Sequence, residues 1–266
     1  MKIKLPFYKI EIDTKNKKYK SIKRRLKNLY AELPATKCLF CPNKCGVEAD
    51  CCKVFSPPML LVEFVSALEE IEKWDDQKKR DLLFQCLDSL IKTETTKPCV
   101  LLNNTLCSIY ESRPLGCKLF AMYPDEEWEK RLNNISAEMG EEKENLPFYK
   151  QCKNIEVEGE EKVVPTERSD RIFQELYKLD VSLFPNKEQG ELMVISNSAT
   201  YMPFETHYLC YRLGSQLVQT LTDMKLASRE LKKRKKYGNL EFIKGEKNLK
   251  EFISTLKNTM ITNNLV

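Results

Sequence analysis

Lys37-Cys38-Leu39-Phe40-Cys41-Pro42-Asn43-Lys44-Cys45-Gly46-Val47-Glu48-Ala49-Asp50-Cys51-Cys52 places five thiols within fifteen residues. The chain has 11 cysteines in 266 residues, so fewer than one is expected in such a window. Thiols this dense either pair as disulfides or bind a thiophilic metal. The choice decides the architecture, because disulfides staple exported chains whereas a metal organises an irregular core where thiols stay reduced. Met1 to Ile12 carry no long apolar segment and no small-residue cleavage site, so no signal peptide is expected. No stretch approaches the length of an apolar membrane span. The expected location is therefore cytoplasmic. An odd cysteine count, and a length well above that of disulfide-stapled small domains, point the same way.

The metal can be narrowed. The chain has one histidine, His207, far from the thiols in sequence. Sites that need imidazole are effectively excluded, and an all-sulfur set suits structural zinc or an iron–sulfur cluster. The run Cys38-x2-Cys41-x3-Cys45-x5-Cys51-Cys52 matches neither paired zinc-ribbon knuckles nor the bacterial ferredoxin spacing. Side chains of adjacent residues diverge, so Cys51 and Cys52 suit two centres, or one ligand and one packing thiol. Pro42 and Pro98 each adjoin a cysteine and stiffen its loop.

Further along, Pro98-Cys99-Val100-Leu101-Leu102-Asn103-Asn104-Thr105-Leu106-Cys107 reads as a short apolar strand, an Asn-Asn turn and a return strand. Such a hairpin brings Cys99 and Cys107 close. Ser108-Ile109-Tyr110-Glu111-Ser112-Arg113-Pro114-Leu115-Gly116-Cys117-Lys118-Leu119-Phe120 follows. Arg113-Pro114 is expected to end the strand, and Gly116 to permit a tight approach to Cys117. A ninth thiol, Cys152, lies downstream.

These residues resemble the YkgJ-like cysteine-cluster family, described as zinc- or iron-chelating. The Ser-Ile-Tyr-Glu-x-Arg-Pro-x-x-Cys segment matches almost letter for letter, and the resemblance covers about residues 37 to 155. Two departures stand out. The family's opening is tighter, whereas Gly46 to Asp50 are inserted here before Cys51. Its common arginine after the last motif cysteine is Lys118, which keeps the positive charge. The resemblance implies a metal-bound, cysteine-ligated core and no particular reaction.

The candidate ligands are Cys38, Cys41, Cys45, Cys51, Cys52, Cys99, Cys107, Cys117 and Cys152. Nine thiols exceed the four of one tetrahedral zinc, so an iron–sulfur cluster is preferred and zinc is the alternative. Arg113 and Lys118 are candidates to offset the negative charge of clustered thiolates; an Arg113–Glu111 ion pair is the structural alternative. Cys86 and Cys210 sit in apolar stripes and read as core. Tyr110 reads as packing, and His207 as a surface or internally satisfied histidine.

The remainder reads as helical scaffolding. Helices are expected from Pro57-Pro58 with Leu61, Phe64, Val65, Leu68 and Ile71 inward, and from an Asp75-Asp76 cap to about Lys92. Others are expected over residues 125 to 132, over 166 to 182 with Ile172, Phe173, Leu176 and Leu179 inward, and over 204 to 235, interrupted at Gly214. A closing helix is expected over Leu249 to Met260 with Phe252, Ile253 and Leu256 inward, and residues 138 to 144 read as a solvated acidic loop. The fold class is α+β, mainly α: an irregular cysteine-rich core with a short β-hairpin, surrounded by helices. Its segments are a basic stretch over 1–36, the cysteine-cluster domain over 37–155 and a helical region over 160–266.

Charge offers a rival function. Lys15 to Lys27 contain eight basic residues and no acid, and Arg229 to Lys236 add a second run. Both could meet phosphate, but a net charge of only +5 favours solvated surface. The eight glycines form no phosphate-cradling loop. Three readings stand in order. The first is a metal-binding protein with an unknown protein or small-molecule partner. The second is an iron–sulfur-dependent redox or methyl-transfer enzyme, distantly similar to the flagellin lysine N-methylase family, although Cys41-x3-Cys45 supplies only half of a radical-type motif. The third is a zinc-stabilised nucleic-acid-associated protein.

Overall fold

Alternation of apolar and polar residues builds the first element. In the computed structural model, which describes residues 1–38, 52, 56–91, 98–103, 106–120, 122–140, 142–146, 155–195, 201–214, 216–224 and 241–262, β1 (Lys2–Leu5) and β2 (Ile10–Asp13) pair antiparallel, with Lys2 opposite Asp13 and Leu5 opposite Ile10. Every second side chain then points inward, burying Ile3, Leu5, Ile10 and Ile12. Asn16 caps α1 (Lys17–Ala31) by accepting from the Lys18 N–H at 2.8 Å. Tyr19, Ile22, Leu26 and Leu29 recur at helical spacing and are buried, which turns the basic run of residues 15–27 outward. Two of those cations meet carboxylates: Lys23 with Glu69 and Arg25 with Glu175.

β3 (Thr36–Cys38) and β4 (Pro58–Met59) lead to α2 (Leu61–Ile71), which buries residues all round, among them Leu61, Phe64, Val65, Ala67, Leu68 and Ile71. It is the central element. Its entry differs from the expectation: Pro58 pairs with Pro203 in a two-residue ladder, and the helix begins three residues later. Its first N–H groups are satisfied by carboxylates. Leu60 donates to Glu63 at 2.8 Å, and Leu61 and Val62 donate to the buried Asp180 at 3.1 and 2.6 Å. Asp75 caps α3 (Asp76–Ile91) through the Lys78 N–H, as its position predicts.

β5 (Leu102–Asn103) and β6 (Leu106–Cys107) form the expected hairpin. A 3-10 turn at Tyr110–Ser112 leads into α4 (Leu115–Leu119). α5 spans Asp125–Met139, a full two turns beyond the expected short helix, and stops where Gly140 takes φ 66°. β7 (Ile155–Val157) pairs antiparallel with β3, setting Cys38 opposite Ile155. α6 (Thr166–Leu183) buries Ile172, Leu176 and Leu179; Phe173 is only half-buried, edge-on to Tyr177 and Tyr201.

α7 (Lys187–Ile195) packs on α6, and β8 (Met202–Pro203) completes the ladder with β4. α8 (Phe204–Leu213) ends at Gly214, φ 83°, the interruption expected there, and helix resumes over 216–224. α9 (Glu241–Thr262) presents Leu249, Ile253 and Met260 to the core. Phe252, expected inward, is 40% exposed at the rim of that stripe.

One hydrophobic cluster runs from Ile3 and Leu5 through all of α2 to Ile253 and Met260. Strands are confined to two-stranded antiparallel pairs. The protein is α+β and mainly α. Among the described residues no helix is long and apolar enough to cross a membrane.

Candidate metal centre

Among the described residues the two cysteine groups meet at a backbone bond: the Cys99 N–H donates to the Cys52 carbonyl at 2.7 Å. The hairpin then turns the chain back. Leu102 N–H reaches the Cys99 carbonyl at 3.0 Å, Ser108 N–H the Leu101 carbonyl at 2.8 Å, and Cys107 stands opposite Leu102. Cys99 and Cys107 are near enough that the charge of one opposes ionisation of the other. Burial first, then that neighbouring thiol, pushes the Cys99 thiol up to about 12. A Leu101 N–H and the Ser56 hydroxyl work the other way by hydrogen bonding to its sulfur, the hydroxyl at 3.8 Å. Such donors to sulfur are what tunes a thiolate-bound metal.

Ser56 links this thiol to a buried acid. Its hydroxyl lies 3.0 Å from Glu205, whose other oxygen is 3.4 Å from the Ser89 hydroxyl. Glu205 is 1% exposed and comes from the first turn of α8. Sequence reading passed over both Ser56 and Glu205. The available signal was an acid inside the apolar run Phe204-Glu205-Thr206-His207-Tyr208.

Cys117 lies on α4. The first N–H of that helix, at Leu115, donates to Glu63 at 2.6 Å. Glu63 also accepts from the Tyr30 hydroxyl and from Leu60 N–H, so one buried carboxylate joins α1, α2 and α4. Burial raises its pKa against those donors and against Lys118. Gly116 serves a different neighbour from the one expected: a Cβ there would stand 3.3 Å from Pro57 Cβ, so its small size admits Pro57.

The two candidate cations face aromatic rings. Arg113 stacks on Tyr110 at 3.7 Å and donates to the Tyr110 carbonyl at 3.0 Å, in place of an ion pair with Glu111. Lys118 sits 4.9 Å over the Tyr30 ring; burial, then Arg113, lowers its pKa.

His207 is settled as an internal residue. Met59 carbonyl can only accept, so His207 Nε2 donates to it at 3.1 Å, and Nδ1 shares a 2.9 Å hydrogen bond with the Tyr8 hydroxyl. The ring stacks on Phe64. Cys86 and Cys210 are buried in the core as expected, at 0% and 4% exposure.

Cys41, Cys45, Cys51 and Cys152 lie outside the described residues, as do Pro42, Gly46 to Asp50, the Asn104 turn residue and the basic run Arg229 to Lys236. Cys38 is described for its backbone alone. Among the described residues no three His, Cys, Asp or Glu side chains converge on a metal position. None of Cys52, Cys86, Cys99, Cys107, Cys117 and Cys210 is in a disulfide. The donors at the junction are sulfur, with the one imidazole engaged elsewhere, and that set fits a thiophilic metal.

Residues 37–153 match the CxxCxxCC family model, described as "Putative zinc- or iron-chelating domain". No curated protein and no solved structure matches the chain significantly.

Proposed function

We propose that the CxxCxxCC domain at residues 37–153 holds an iron–sulfur centre through cysteine sulfur alone, with ligands drawn from both cysteine groups. The ligand set proposed is Cys38, Cys41, Cys45, Cys51, Cys52, Cys99, Cys107, Cys117 and Cys152, and zinc is the alternative occupant. The observation that carries the reading is the 2.7 Å bond between Cys99 and Cys52. It is a backbone hydrogen bond that joins residues 47 positions apart at the mouth of a hairpin whose other arm carries Cys107. A bound iron–sulfur cluster supplies one-electron chemistry, and zinc supplies structural cross-linking. The chain's own contribution is to gather thiols, hydrogen-bond the Cys99 sulfur from Leu101 N–H and Ser56 Oγ, and place the cations of Arg113 and Lys118 on the Cys117 side.

Anaerobically purified protein is expected to contain metal with sulfur as its main first-shell ligand by X-ray absorption, and acid-labile sulfide in proportion to iron. Nitrogen or oxygen ligation, or a well-folded metal-free protein, would sink the reading. Stoichiometric zinc without sulfide would select the alternative.

A further inference from the structure

Beside the cysteine motif lies a cleft of about 470 Å³, between α1 and the turn that precedes α4. That volume falls in the range of small-molecule sites, roughly 300–1,000 Å³; the other clefts described measure about 130 and 140 Å³. Its walls are Lys23, Leu26, Lys27, Tyr30 and Ala31 from α1, Glu63 and Ser66 from α2, and Glu111, Ser112 and Lys118 from the motif.

Several of these groups are already taken. Lys23 is paired with Glu69, and Glu63 accepts from Tyr30, Leu60 and Leu115. Four polar side chains have no hydrogen bond or ion pair among the described residues: the ammonium groups of Lys27 and Lys118 and the hydroxyls of Ser66 and Ser112. Lys118 sits over the Tyr30 ring and within electrostatic reach of Glu63, Glu111 and Cys117 without an ion pair to them among the described residues. Both ammonium groups are obligate donors and both hydroxyls can donate, so the vacant capacity is donor-rich. One exposed carboxylate, Glu111, stands against them. Leu26, Ala31 and the Tyr30 ring supply an apolar wall.

We infer that this cleft binds a small organic anion, its carboxylate or phosphate held by Lys27, Lys118 and the two serine hydroxyls and its apolar part laid against Leu26 and Tyr30. The inference shares Lys118 with the proposed metal centre, so metal content and anion binding are read separately in its test.

The test uses the full metal-loaded chain and calorimetric titration, at fixed ionic strength, with benzoate, phenyl phosphate and inorganic phosphate. Lys118 adjoins Cys117, so the informative variant is Lys27→Glu, on the exposed face of α1. Lys20→Glu, on the same helix but outside the cleft, matches its change of charge. Metal content is measured for each protein. The expected result is saturable one-to-one binding of an aromatic anion, weakened at least tenfold by Lys27→Glu and unchanged by Lys20→Glu, with metal content constant. The preferred aromatic probe identifies the headgroup. No saturable binding, equal weakening by both variants, or inorganic phosphate binding as tightly as phenyl phosphate would overturn it.

Discussion

Glu63 shows how much one side chain can decide. Its carboxylate accepts from Tyr30, Leu60 and Leu115, so three elements are positioned by two oxygens. Desolvation raises its folded-state pKa above the ordinary 4.5. A raised carboxylate pKa means the folded state keeps its proton longer than the unfolded chain. This group therefore favours folding most at low pH, and that advantage falls as pH rises from 4.5 through the folded pKa. Glu63→Gln, which cannot titrate, should lack that falling component. It should also cost about 1–3 kcal/mol for the acceptor it loses. Denaturant unfolding across a pH series measures both, and parallel wild-type and variant curves would refute the assignment.

A second contrast at this scale separates ligand thiols from packing thiols. Cys86 is fully buried on α3, so Cys86→Ala should cost about 1 kcal/mol and leave the metal in place. Cys117→Ser should empty the site and lower the unfolding temperature. Metal content and thermal melts of the two variants decide, and the reverse pattern would defeat the proposed ligand set.

Among the elements, the α6–α7 pair is set by a glycine. A Cβ at Gly190 would lie 2.8 Å from the Val181 carbonyl oxygen and 3.1 Å from Val181 Cα. Alanine usually improves a helix by about 1 kcal/mol over glycine. Here the backbone of α6 blocks it, and over-packing of this kind costs about 1–3 kcal/mol. Gly190→Ala should therefore destabilise, lowering the melting temperature by roughly 2–4 °C per kcal/mol. A rise would show that the helices can slide apart freely.

Helices with regular apolar spacing were legible in the sequence: α2, α3 and α6 lie close to where their stripes predict. So was the hairpin that carries Cys107, because Asn-rich turn chemistry between apolar runs is local. Contacts distant in sequence were not. Nothing near Leu61 announces that Asp180 caps its helix, or near Cys99 that Glu205 stands behind Ser56. The basic run of residues 15–27 read as surface, and its cations are exposed, while Tyr19, Ile22, Leu26 and Leu29 between them seat the helix on the core.

Taken as a whole, the molecule packs its cysteine junction on one continuous core. The cluster from Ile3 to Met260 includes β1, β2, α1, α2, α6 and α9 and takes Val100, Leu101, Leu115 and Leu119 from the junction side, with Cys99 and Cys107 packed against it. Among the described residues the junction is tied by the backbone bonds of Cys99 to Cys52, Leu102 to Cys99, and Ser108 to Leu101. Metal that binds only the folded state adds stability that grows with the logarithm of one plus free metal over its dissociation constant. Local openings of low free energy report where that stability is spent. Removing metal by anaerobic chelation should therefore lower the unfolding temperature while acting unevenly on amide hydrogen exchange. The amides of Cys99, Leu102 and Ser108 should lose protection first and most. Those of β1, β2 and α1 should keep theirs until global unfolding. Uniform loss across the chain would show that the metal supports the whole core, and unchanged protection at Cys99, Leu102 and Ser108 would show that the centre does not join the two cysteine groups.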